Sequence, residues 1–162
     1  MPAVKAPVSA GAELLLDTCV YIDVLQGRTP PSIDELLEAR IANHSTVCLA
    51  EMTHLFGRLD PAHARTKAVL SERRRTIEDM PGHRISSPSE TAMGEAGMLA
   101  GATARLLRIE RAEQPLLLND ASLYLQALEH GWTVLTRNVR DFDAFDQLLP
   151  ANRVLFYERD GI

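Results

Sequence analysis

The sequence predicts an α/β domain of three layers, with helices on both faces of a mainly parallel sheet. Three observations carry the prediction. Short β-rich apolar runs alternate with helical stretches, in the order strand, helices, strand, helices, strand, helix, strand. Leu14-Leu15-Leu16 shows no polar alternation, which suits a strand buried on both faces. Carboxylates stand where elements meet: Asp17, Glu51 and Asp120 where a strand or loop becomes a helix, and Asp141 directly after a strand. A parallel sheet gathers such junctions along one edge, where open α/β folds bind ligands.

Taken in order, residues 1–11 (MPAVKAPVSAG) read as a flexible leader rich in small residues and Pro, and residues 12–162 as one domain. The first strand ends on Asp17, and Thr18–Gln26 continues as a helix that Gly27 stops. Ser32 is the expected N-cap of a short helix over Ile33–Arg40. Asn43–Leu49 reads as a second strand, Glu51 as its strand-to-helix junction, and Met52–Arg58 and Pro61–Met80 as helices. Arg84–Ser87 is a further short strand. The Ala-, Gly- and Met-rich Ser89–Ile109 suits a helix that lets neighbouring backbones approach, and Pro115 is expected to close it. Asp120 then opens an amphipathic helix that Gly131 ends. Trp132–Thr136 follows as a strand, then Asn138, Asp141 and Asp143 in an acidic loop, a helical turn over Phe142–Leu149, and a last strand over Val154–Tyr157.

At 162 residues the chain is long enough for one real core, and its 46% hydrophobic and 24% charged residues are ordinary for a globular protein. The net charge of -5 argues against general electrostatic capture of nucleic acid, and 5% aromatics leaves few stacking platforms. Neither excludes a nuclease, whose acidic centre is neutralised by cations when loaded. Cys19 and Cys48 lie in apolar runs and read as reduced, buried residues rather than a disulfide. With no apolar run of membrane-spanning length and no signal-peptide pattern, the expected location is the cytoplasm.

Several carboxylates in one concave site are suited to a hard divalent cation. Oxygen ligands favour Mg²⁺ or Mn²⁺ over Zn²⁺, and without a cation such a cluster repels itself. Ions so held can position water and leaving group for in-line hydrolysis of a phosphodiester. A plainer account stands beside this one. Asp17 and Asp120 also read as helix N-caps, and Asp141 and Asp143 as solvated loop acids. Spacing by itself leaves both accounts open.

Resemblance separates them. LLLDTCVYIDVLQG, STVCLAEM and NDASLYLQALEHGWTVLTRNVRDF resemble successive motifs of PIN-domain proteins, specifically the VapC-type ribonuclease toxins. The likeness runs from about Leu14 to about Leu149, and its most specific part is the ungapped pattern from Asp120 to Phe142. It implies a PIN-like α/β/α fold and an RNA endonuclease dependent on Mg²⁺, with Mn²⁺ as an alternative. Asp17, Glu51, Asp120 and Asp141 would be the catalytic, metal-binding acids. Thr18, Ser45, Thr136 and Asn138 would be polar groups beside them. Many family members carry an acid where Asn138 stands, and Asp143 is a weaker candidate ligand. The resemblance also implies an antitoxin partner seated near the acidic pocket, and a homodimer pairing helical faces.

Arg137 and Arg140, between Thr136 and Asp141, are best placed to meet RNA phosphates. Arg73–Arg75 and the helically spaced Arg105, Arg108 and Arg111 are further basic groups that also read as solvated helix faces. Two other functions compete. One is a PIN-like RNA-binding or regulatory module with weak turnover, suggested by the neutral Asn138. The other is a phosphatase of the haloacid dehalogenase type, which needs a second acid two residues after Asp17, where Cys19 stands.

Overall fold

The computed structural model describes residues 11–161. The leader expected over residues 1–11 lies, apart from Gly11, outside them. Among these residues, five strands form one sheet: β1 (Leu14–Leu16), β2 (Ala42–Ser45), β3 (Ile85–Ser86), β4 (Thr133–Thr136) and β5 (Val154–Phe156). Their order is β3-β2-β1-β4-β5, and every pairing is parallel. Successive side chains of a strand point to opposite faces, yet Leu14, Leu15 and Leu16 are all buried, so both faces of β1 are covered. The layered, parallel α/β expectation is borne out.

Among the described residues, seven helices link the strands: α1 (Thr18–Leu25), α2 (Pro31–Ala39), α3 (Thr46–Arg58), α4 (Ala64–Glu78), α5 (Glu90–Leu107), α6 (Gln114–His130) and α7 (Val139–Leu148). Their boundaries correct several expectations. The β-like Val47-Cys48-Leu49 is helical, because Ser45 Oγ accepts the Val47 N–H (3.1 Å) and caps α3. Cys48 and Met52, one turn apart on the same face of that helix, then bury together. Glu51 is therefore inside a helix rather than at a strand end. Pro30 stands at the N-cap of α2 in place of Ser32, and the Thr29 hydroxyl donates to Asp34.

Pro115 begins α6 instead of closing α5, since the first turn of a helix has no use for its missing N–H. Asp120 consequently lies mid-helix, not at an N-cap. Helix α5 stops before Arg108, which takes a left-handed conformation (φ 52°), and Arg111 belongs to a separate 3-10 turn. Arg105, Arg108 and Arg111 thus share no helical face. Ala92, Ala96, Ala100 and Thr103 are the buried side of α5. Gly94, Gly97 and Gly101 are on its exposed side, with nothing within 4 Å of an added Cβ. The small residues that let α5 approach its neighbours are therefore alanines.

Candidate active site

The chain runs outward from β1 through β2 to β3 on one side, then returns to β4 and β5 on the other. The direction switches between β1 and β4, the place where such sheets open a crevice at their carboxyl ends. Asp17, directly after β1, is 5% exposed and does two jobs there. Its Oδ1 accepts the Thr18 N–H (2.7 Å), capping α1, and its Oδ2 accepts the Thr136 hydroxyl from the end of β4 (2.7 Å). The cap account holds for this residue, and its second oxygen is held by the end of β4. The Cys19 thiol also points at Oδ2 (3.5 Å).

Glu51 reaches the crevice from α3. Its Oε2 accepts from the Thr18 hydroxyl (2.5 Å) and its Oε1 from Asn119 Nδ2 (2.9 Å). Asn119 thus reaches from α6 to a carboxylate on α3. Asp120, next on α6, and Asp141, in the first turn of α7, are joined by Asn138. The Asn138 Nδ2 donates to Asp120 Oδ2 and to Asp141 Oδ2, both at 3.0 Å. Its Oδ1 accepts the Asp141 N–H (3.3 Å), so one amide caps α7 and bridges two carboxylates. Arg140 closes onto the same acid, with Nε 2.7 Å from Asp141 Oδ1 and Nη2 3.4 Å from Oδ2.

The four acids separate electrostatically. Burial holds Asp17 above the usual carboxylate range, despite donors from Thr136 and Thr18. Burial likewise raises Glu51, against the donors Thr18 and Asn119. Asp120 is pushed up to about 9, by burial first and then by the charges of Asp17, Glu51 and Asp141. Asp141 goes the other way: burial works to raise it, and Arg140 and Asn138 outweigh that and hold it low. Three carboxylates are thus short of positive charge, and one is already supplied. The Cys19 thiol is pushed up to about 12 by burial and by Asp17, so it stays protonated beside the acids.

Ser45 is buried but serves the cap of α3, with no hydrogen bond to any of the acids. Asp143 is exposed on α7 and accepts from Gln147 (2.7 Å). The Arg137 Nε is engaged by Asp23 (2.5 Å), a fully buried acid on α1 that also accepts from the Tyr157 hydroxyl (2.7 Å). Asp23 and Tyr157 were not singled out from the sequence. The available signal was an acid inside the apolar run Val20–Leu25, where a charge needs a partner.

The donor set fits a hard divalent ion in kind: carboxylate oxygens with amide and hydroxyl groups around them, three of the acids desolvated and mutually repelling. Among the described residues, no three His, Cys, Asp or Glu side chains are arranged to hold an ion as they stand. Each of the four carboxylates accepts from at least one neighbouring donor.

A parallel α/β domain with four acids gathered at its switch point defines a class of proteins, and comparison narrows it. Residues 14–148 match the PIN domain family, and the chain belongs to it. No curated protein matches the sequence. Among solved structures, it is similar to VapBC2 from Rickettsia felis bound to a promoter DNA fragment: TM-score 0.59, 15% identity, 90% of this chain and 98% of that one. DNA-bound VapBC from Salmonella typhimurium aligns with a TM-score of 0.60 and 19% identity, over 90% of this chain and 98% of that one. FitAcB from Neisseria gonorrhoeae is 25% identical with a TM-score of 0.57, over 82% of this chain and 93% of that one.

Proposed function

We propose that the chain is a metal-dependent ribonuclease, the toxin of a VapBC-like toxin–antitoxin pair. The observation that supports this most is the convergence of Asp17, Glu51 and Asp120 from β1, α3 and α6, all raised, beside Asp141. Mg²⁺, or Mn²⁺ in its place, would supply the charge these acids lack, and would polarise water and phosphate. Thr18, Thr136, Asn119 and Asn138 fix the directions of the carboxylate oxygens, which is what ligand groups need from their neighbours. Arg140, 56% exposed, and Arg137 are the cations nearest the acids, and both can meet RNA phosphates. Ser45 contributes through the cap of α3.

One similar solved structure, from Klebsiella pneumoniae, is a toxin–antitoxin complex, which supports an antitoxin as the partner. An apolar cavity of about 240 Å³, lined by residues that include Val20, Val24, Leu25, Leu37 and Ala42, is a seat for such a chain. The outer side of α5, with Met98 78% exposed beside open glycines, suits a homodimer contact. No helix among the described residues is long and apolar enough to cross a membrane. A single domain over residues 12–162, working in the cytoplasm, completes the proposal.

The test is incubation of the purified chain with labelled RNA, in Mg²⁺ and in EDTA, beside Asp17→Asn and Asp120→Asn. Cleavage in Mg²⁺ alone, lost in both variants, is expected. Cleavage that survives EDTA or both substitutions refutes the site. Binding without cleavage would favour the module with weak turnover.

A further inference from the structure

Asp23 is a carboxylate that the acidic site does not use. It is fully buried on α1, its Oδ2 takes both Arg137 Nε (2.5 Å) and the Tyr157 hydroxyl (2.7 Å), and its Oδ1 is buried with no partner. A buried carboxylate with an unpaired oxygen is unfavourable, and an apolar side chain of similar volume avoids the penalty. What the arrangement holds in place is Arg137. That residue stands between Thr136, which donates to Asp17, and Asn138, which donates to Asp120 and Asp141. Its Nε edge is fixed on Asp23, while its two Nη groups make no hydrogen bond among the described residues and the side chain is 31% exposed. A guanidinium held by one edge offers its other edge as a pre-set fork for a phosphate.

The other half of the grip comes from the end of the chain. Tyr157 follows β5 and lies beyond residues 14–148, the stretch that matches the family. Its N–H donates to Thr136 O (3.2 Å), and Asp160 N donates to Arg28 O (3.0 Å), so this segment is tied to both β4 and the turn after α1.

The geometry points to Asp23 and Tyr157 as positioning residues that clamp Arg137, so that its free edge grips an RNA phosphate beside the acids. This rests on the ribonuclease reading above.

The experiment compares the full chain with Tyr157→Phe and Arg137→Ala, measuring KM and kcat for a labelled single-stranded RNA, Mn²⁺ affinity by calorimetry, and the melting temperature. Asp23→Asn is the more drastic variant, and Tyr157→Phe keeps the question open to test if it fails to fold. Arg137→Ala should raise KM about tenfold or more and Tyr157→Phe about threefold, with the larger part of each change in KM. Arg137→Lys should recover little, since an ammonium cannot hold Asp23 and a phosphate as a planar fork does. Mn²⁺ affinity should match the unaltered chain. A lower melting temperature with KM unmoved in Tyr157→Phe and Arg137→Ala would make the network structural only, and would overturn the clamp while leaving the nuclease reading intact. An unaltered chain that neither cuts nor binds RNA would overturn that reading, and the clamp with it.

Discussion

Asn138 uses both ends of its amide at once: Oδ1 caps α7, and Nδ2 spans Asp120 and Asp141. Turning the amide to offer oxygen to a cation would give up the cap, and orienting the acids is the part we propose for it. Asn138→Ala should lower stability by about 1 kcal/mol, the usual worth of a cap. It should also slow RNA cleavage with the fold retained, as circular dichroism and a cleavage assay would establish. Asp120 is opposed by its burial and by the charges of Asp17, Glu51 and Asp141. Asp120→Asn should remove cleavage and raise the melting temperature of the metal-free chain by about 2–4 °C for each kcal/mol of repulsion relieved. A melting temperature that falls instead would mean the carboxylate is stabilising. Asp17 and Asp141 were legible as candidates because they sit beside strand ends. The role of Asn119 was not, since its partner Glu51 is 68 residues away.

At the scale of elements, helix starts were read less well than helix stops. Pro115 and the run Val47–Leu49 show why. A proline suits the first turn of a helix as well as the residue past its end. A short apolar run likewise fits either period until something packs against it. Gly131 was unambiguous: it caps α6 at φ 69°, and its N–H bonds back to Ala127 and Leu128 before the chain enters β4. Gly131→Ala should cost about 1–2 kcal/mol, because a Cβ is disfavoured in that conformation. The substituted position is remote from the acids, so cleavage by the folded fraction should be unchanged. Denaturant melts beside cleavage assays separate the two effects.

At the scale of the molecule, the crowded acids make stability depend on pH. Above 3.8 an unfolded Asp120 is ionised, while the folded one keeps its proton until about pH 9. Rising pH across that window therefore favours the unfolded chain, and Asp17 and Glu51 act in the same direction. Asp141 and Asp146, both held low, act oppositely, and their contribution is lost only as pH falls below the usual carboxylate range. The melting temperature of the chelator-treated protein should fall from about pH 6 to about pH 9, and the slope should flatten with saturating Mg²⁺ or in Asp120→Asn. A slope that is the same in all three would mean the acids are not coupled.

The sequence by itself determined the α/β class, the central apolar strand, the family motifs and which acids to inspect, because periodicity, turn residues and ungapped patterns are local properties of the chain. Tertiary structure alone decided that Glu51 and Asp120 arrive from helix interiors, that Asn138 bridges two acids, and that Tyr157 meets Asp23 134 residues away. Those contacts depend on which strands become neighbours. That ordering follows from burying the whole apolar surface together, and no local stretch of sequence records it.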